Sequence, residues 1–247
     1  MPKFFINTNQ IHDSNIQIVG EDVKHISQVL RAKLNDELLI CDKETNLNYR
    51  TKITKITPDD ITCTIIDYQK SNTEPKVQVT IFQGIPKADK MEYIIQKNTE
   101  IGAKEIVPVM MSRCIVKLEE KEKTKKVARW QKIAEAAAKQ SGRDHIATIA
   151  KPIELKELCN KIPEFDLVLL AYENEENITL KQELKKFENT SNLKIGVIIG
   201  PEGGIDKSEL EQLIEVGARR VTLGNRILRT ETASLVIMSN IIYEYEM

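Results

Sequence analysis

Ile195-Gly196-Val197-Ile198-Ile199, running on into Gly200-Pro201-Glu202-Gly203-Gly204, decides the fold class of this 247-residue chain. The first half is short, apolar and rich in β-branched side chains, which predicts a strand buried on both faces of a parallel sheet rather than an amphipathic helix. The second half packs three glycines and a proline into five residues. Such a loop adopts positive φ freely and lets a ligand approach its backbone. Asp206-Lys207-Ser208-Glu209 then reads as a capping box, with Asp206 as N-cap, so a helix is predicted from there to Gly217. A second apolar strand, Phe165-Asp166-Leu167-Val168-Leu169-Leu170-Ala171, ends at Tyr172-Glu173, and a third, Arg220-Val221-Thr222-Leu223, ends at Gly224. A lone Gly-Pro-x-Gly-Gly is more often a tight turn than a site. Three strand ends together favour a shared pocket, because open α/β sheets bind ligands beyond the carboxyl ends of their strands.

Outward from this region the pattern stays α/β. Residues 77–82 read as a strand, Pro86-Lys87 as a loop, and residues 89–101 as a helix closed by Gly102. Residues 106–110 form the next strand, with Pro108 marking an edge or irregular position. Residues 129–141 are helical, with Trp130, Ile133, Ala134 and Ala137 on one face. The last helix, residues 233–243, is opened by Thr230, Glu231 and Thr232, whose side-chain oxygens are expected to satisfy its first N–H groups. It is apolar on nearly all sides, which predicts burial, with a homodimer interface as one way to achieve it. Upstream, residues 38–42, 49–56 and 61–66 read as strands of a small barrel, and residues 21–32 as a helix placing Val23, Ile26, Val29 and Leu30 together. The polar, proline-bearing stretch of residues 70–76 is a linker, so the expected domains are residues 1–72 and 73–247.

Composition narrows the function classes. No stretch reaches transmembrane length and the N-terminal residues lack a secretory pattern, so a cytoplasmic protein is expected, with no membrane partner. Four dispersed cysteines without a Cys-x-x-Cys pair and three unclustered histidines predict neither a disulfide nor a metal site. The net charge of −1 conceals an uneven distribution: −1 over residues 1–72, +6 over 84–151 and −6 over 152–247. The middle segment is therefore the candidate for phosphate contacts, although its densest run, residues 117–126, mixes both signs as a solvated surface does. Neither Gly-x-x-x-x-Gly-Lys-Ser/Thr nor Gly-x-Gly-x-x-Gly occurs at a strand end, which argues against a nucleotide or dinucleotide enzyme.

The loop Gly200-Pro201-Glu202-Gly203-Gly204 followed by Leu223-Gly224-Asn225-Arg226-Ile227-Leu228-Arg229-Thr230-Glu231-Thr232-Ala233 resembles the bacterial RsmE family. These are the 16S ribosomal RNA uridine N3-methyltransferases of the SPOUT (trefoil-knot) superfamily. The resemblance continues through Pro86-Lys87, Arg113, and Glu135 to Arg143, and through Phe4-Phe5 and His25 to Arg31 near the start. It implies an S-adenosylmethionine-dependent homodimer acting on 16S rRNA of the small ribosomal subunit. The implied architecture is an N-terminal PUA-like β-barrel for RNA binding and a C-terminal knotted α/β domain with a parallel sheet. The implied substrate contacts are His25, Arg31, Lys87, Arg113, Gln140 and Arg143. Two departures stand out: Lys24-His25 replaces a usual pair of histidines, and Ala88-Asp89-Lys90 replaces Gly-Asp-Arg, so arginine's forked donor is lost there. A SPOUT enzyme with another target, such as a ribose 2′-oxygen or guanine N1, and a non-catalytic RNA-binding protein are the alternatives.

On this reading the cofactor lies among the three loops. Leu170, Ala171 and Glu173 contribute from the first, Ile199, Gly200, Pro201, Glu202, Gly203 and Gly204 from the second. Leu223, Gly224, Ile227 and Leu228 come from the third, with Thr232 and Ala233 where the last helix opens. Ordinary core packing is the competing role for the leucines. Methyl transfer from a sulfonium chiefly requires two reactants held in line. Uracil N3 carries a proton at neutral pH, so an anion must be stabilised. Arg229 is the expected stabilising cation, and Glu202 the group that positions or accepts a proton.

Overall fold

A computed structural model describes residues 3–187 and 192–247. Met1 and Pro2, where the first expected domain begins, lie outside the described residues. The chain divides into two compact units, Met1–Glu74 with Ala138–Ile146, and Pro75–Ala137 with Ala147–Met247.

In the first unit, β1 (Lys3–Ile6), β2 (Ile11–His12), β3 (Asn15–Val19), β4 (Glu37–Asp42), β5 (Leu47–Ile56) and β6 (Asp60–Lys70) form one sheet in the order β1-β4-β5-β6-β3-β2. Only β1 and β4 pair in parallel. Alternation along the strands turns Ile16, Ile18, Leu38, Ile40, Ile61 and Cys63 to the same side as Phe4, Ile6 and Ile53, giving a single apolar core inside the curled sheet. Register shifts at Arg50/Thr51 and Ile53/Lys55 are bulges that bend the long β5–β6 pair. The helix predicted over residues 21–32 is shorter. Here α1 (Glu21–Lys24) passes into a single π-turn, His25–Val29, and Arg31 takes φ +53°. A left-handed residue cannot extend a right-handed helix; the Ala32 N–H instead donates to the Ile26 carbonyl at 3.0 Å.

The second unit contains β7 (Gln78–Gly84), α2 (Lys90–Ile101), β8 (Glu105–Met110), α3 (Glu120–Ser141), β9 (Thr148–Ile149), β10 (Ile153–Glu154), α4 (Leu155–Lys161), β11 (Leu167–Ala171), α5 (Leu180–Lys185), β12 (Lys194–Ile199), α6 (Lys207–Glu215), β13 (Arg219–Val221) and α7 (Thr230–Glu246). The last turn of α3 falls in the first unit's segment. All strands pair in parallel, in the order β10-β8-β7-β12-β11-β13, with β9 also beside β8. The all-apolar run is thus β12, flanked by β7 and β11, and Ile195, Val197, Ile198 and Ile199 are buried. Pro108 sits where the outer neighbour of β8 is interrupted. Ile106 O accepts from Ala150 N on that side, and Val109 O from Ile85 N on the other. Position 108 shares the side of 106, so the imide nitrogen faces the gap between β9 and β10 and no ladder bond is lost.

The final helix α7 packs on α2 and against β7 and β12. It begins at Thr230, earlier than predicted, and carries an exposed stripe of Thr232, Ser239, Asn240 and Tyr243. Its burial is therefore three-sided rather than complete. Its first N–H groups also find no side-chain cap, contrary to the expectation for Thr230 to Thr232. The Thr230 hydroxyl is engaged elsewhere.

Candidate active site

Three loops at the carboxyl ends of β11, β12 and β13 enclose a cavity of about 790 Å³, within the range of small-molecule and cofactor sites. Each loop is held by its own local chemistry. After β11, the Tyr172 N–H donates to Val221 O at 3.1 Å, and the Glu175 carboxylate accepts from the N–H groups of Asn177 and Ile178 at 3.0 and 3.1 Å. Those amides, with Arg220 at 3.4 Å, hold the Glu175 carboxyl below its ordinary pKa. After β12, the Gly204 N–H closes a turn onto Pro201 O at 2.9 Å with Gly204 at φ +70°, a conformation suited to glycine. The capping box then forms as predicted, with Asp206 accepting from Ser208 N and Glu209 from Asp206 N. After β13, Gly224 at φ +105° turns the chain across the cavity mouth toward Arg229, the N-cap residue of α7.

One hydroxyl joins three of these segments. Thr230 Oγ1 donates to Gly200 O at 2.6 Å and accepts from Gln83 Nε2 at 2.8 Å; Gln83 is fully buried. The end of β7, the loop after β12 and the start of α7 are thereby locked where they cross. The approach is close enough that a Cβ on Gly84 would stand 2.6 Å from Pro201 Cδ.

Of the predicted cofactor residues, Ala171, Glu173, Ile199, Gly200, Pro201, Glu202, Gly204, Leu223, Gly224, Ile227, Leu228 and Ala233 line this cavity. Leu170 does not, being fully buried between its strand neighbours. Gly203 faces Arg113, and Thr232 lies on the exposed side of α7. Ile227 lines the mouth rather than the interior and is 88% exposed. Tyr172, Asn225 and Arg226, inside the predicted loop segments, also line it, together with Thr222 and Lys90, neither of which was expected at the cofactor. Lys90 had a legible signal as the basic residue where α2 opens, in the place of the usual arginine of Gly-Asp-Arg.

Glu202 and Arg229, the two predicted catalytic groups, share the cavity wall but differ in company. The Glu202 carboxylate accepts from the Lys87 backbone N–H at 3.1 and 3.3 Å and pairs with Lys90 Nζ at 3.1 Å. Partial burial pushes its pKa up, but the backbone N–H groups and the Lys90 ammonium outweigh that and hold the carboxyl below its ordinary value. The same contact raises the pKa of Lys90. Arg229 is exposed and makes no ion pair among the described residues.

The predicted substrate contacts have distinct settings. The Lys87 side chain is exposed while its N–H anchors Glu202. Arg113 clamps the glycine loop, donating to Gly203 O and to Asp206 Oδ2, each at 3.1 Å. The other four belong to the first unit. His25, Arg31 and Gln140 are exposed there, with His25 set edge-on to Phe4 at 5.9 Å. Arg143 is only 4% exposed and pairs with Glu74 at 2.5 Å. Its guanidinium acts as a buried structural cation in this structure, since a charge out of water needs its partner. No cluster of potential metal ligands occurs among the described residues, and no helix of the described residues is long and apolar enough to cross a membrane.

The chain matches a family model described as an RNA methyltransferase domain over residues 73–242, and one described as an RNA methyltransferase PUA domain over residues 18–66. It is 35% identical over 255 residues to ribosomal RNA small subunit methyltransferase E of Bacillus subtilis, with 100% of this chain and 98% of that one covered. The protein of the same name from Mesomycoplasma hyopneumoniae is 32% identical, covering 98% and 99%. Among solved structures, ribosomal RNA small subunit methyltransferase E from Neisseria gonorrhoeae bound to S-adenosyl methionine matches with a TM-score of 0.88 at 29% identity, covering 99% of this chain and 98% of that one.

Proposed function

Because the chain belongs to the ribosomal RNA small subunit methyltransferase E family, we propose that it methylates N3 of a uridine in 16S rRNA, using S-adenosylmethionine, as a cytoplasmic homodimer. The observation that carries this reading is the single cavity at three parallel strand ends, walled by Gly200, Pro201 and Gly204 on one side and Leu223, Leu228 and Arg229 on the other. Its residues suit the cofactor. Ala171, Ile199, Leu223 and Leu228 offer apolar packing for an adenine ring, and the carboxylate of Glu173 offers a partner for a cationic group. When bound, S-adenosylmethionine supplies a methyl group on a positively charged sulfur that departs as a neutral thioether.

The chain's own residues then have three tasks. The glycine loop and the loop over residues 222–229 hold the reactants in line. Arg229, unpaired, stabilises the negative charge that develops on the uracil as N3 loses its proton to water. Glu202 is better suited to positioning than to accepting that proton, because its depressed pKa makes it a weak base. For the homodimer, Tyr243 in the exposed stripe of α7 and the half-buried Leu235 and Val236 beside it provide positions for a two-fold contact. Sedimentation equilibrium checks it, and a monomer at micromolar concentration would exclude it.

Incubation with labelled S-adenosylmethionine and small ribosomal subunits from cells lacking the enzyme tests the reaction. The expected product is 3-methyluridine at one position. Label on a ribose oxygen or on guanine would reject the assigned target, and no label would reject catalysis. Arg229→Ala is expected to lower kcat about 100-fold or more, as loss of a donor to a developing anion does, with cofactor affinity within about threefold of the parent. Equal losses in both would reject Arg229 as the stabilising group.

A further inference from the structure

Lys90 stands between two carboxylates. Its Nζ lies 3.1 Å from Glu202 Oε1, on the glycine loop, and 3.3 Å from Glu231 Oε2, in the first turn of α7. Glu231 Oε2 is buried and has no hydrogen bond of its own. No other cation pairs with either carboxylate among the described residues. Arg229 lies two residues before Glu231, opens on the same cavity as Glu202 and makes no ion pair among the described residues. A partly buried carboxylate left without a cation is costly and draws a mobile cation of the same wall toward it.

We infer that Lys90 is a positioning residue that occupies Glu202 and Glu231 so that Arg229 remains unpaired and available to the target base. The inference rests on the role given to Arg229 above. Without the ammonium, two negative charges share a partly buried wall, and Arg229, on the same cavity as Glu202 and two residues before Glu231, is the cation we infer would move to them. It would fold onto that carboxylate and be lost to the reaction.

The experiment measures kcat at saturating cofactor, and the cofactor dissociation constant by calorimetry, for Lys90→Met, Lys90→Arg and the double variant Lys90→Met/Glu231→Gln. Lys90→Met is expected to lower kcat at least tenfold with the dissociation constant within about threefold of the parent. Lys90→Arg keeps the cation and should retain kcat within about threefold. The double variant removes the competing carboxylate and should recover most of the loss, a non-additivity that simple structural damage does not produce. Lys90→Gln serves in place of Lys90→Met if the methionine variant does not fold. An unchanged kcat in the single variant, no recovery in the double variant, or a loss residing in cofactor affinity would each overturn the inference. Failure of Arg229→Ala to lower kcat is a separate result that overturns the underlying reading instead.

Discussion

Thr230→Val isolates the hydroxyl at the crossing of β7, the loop after β12 and α7. The substitution preserves shape and removes one polar atom that makes two bonds, to Gly200 O at 2.6 Å and from Gln83 Nε2 at 2.8 Å. Gln83 keeps one donor bond, to Gly84 O at 3.0 Å, but its second N–H is stranded in a fully buried site, and the Gly200 carbonyl loses its partner. A buried polar group left unsatisfied costs about 1–3 kcal/mol. Gly200 is only half-buried, so its share falls at the low end and the total is about 2–3 kcal/mol. For a unit of this size each kcal/mol moves Tm by about 2–4 °C, which gives a fall of roughly 5–10 °C. Because Gly200 opens the cavity loop, loss of its bond is also expected to weaken S-adenosylmethionine binding about fivefold, the equivalent of one net hydrogen bond. Differential scanning calorimetry and isothermal titration read the two quantities, and Thr230→Ser, which keeps the hydroxyl, should restore both. A Tm within 2 °C of the parent together with unchanged affinity would refute the claim that this hydroxyl locks the crossing.

Two further perturbations follow from the same structure. Ala88 holds φ +52° in the loop before α2, a conformation that costs an L-residue about 1–2 kcal/mol and glycine almost nothing. Ala88→Gly should therefore raise stability by up to about 1 kcal/mol after the entropy of the more flexible unfolded chain is subtracted, read as a small rise in denaturation midpoint. In the first unit, Asp144 is buried against the Lys3 ammonium, which also donates to Gly142 O at 2.8 Å. Burial pushes the Asp144 carboxyl up, but the Lys3 ammonium and the polar groups around it prevail and hold it below the ordinary value. Such a group stabilises the fold above its unfolded pKa of about 3.9 and loses that contribution as pH falls through the lower folded value. Asp144→Asn should cost about 3–5 kcal/mol at pH 7 by stranding a buried ammonium, and its deficit relative to the parent should shrink under strong acid. Parallel denaturant titrations across pH measure both, and a deficit constant down to pH 2 would contradict the assignment.

What could be read without coordinates was whatever is encoded over short chain distances. An all-apolar, β-branched run declared β12, and i-to-i+3 spacing declared the Asp206–Glu209 box. Glycine after residue 101 declared the end of α2, where Gly102 does take φ +128°. The loop motifs declared a ligand region and a family, and with it the PUA-like domain and the trefoil-knot class of the α/β domain. Strand order and the choice of side-chain partners were not legible, because they depend on groups far apart in sequence. Gln83 meets Thr230 across 147 positions and Lys87 meets Glu202 across 115. No local period signals either contact. Sequence alone likewise made Arg143 a ligand contact and left Lys90 in the background, since a cation's role is set by which carboxylates the fold brings within its reach. Glu74 takes the first, and Glu202 and Glu231 take the second. The tertiary structure thus decided which charges are spent on holding the chain together and which, Arg229 among them, line the cavity without a carboxylate partner among the described residues.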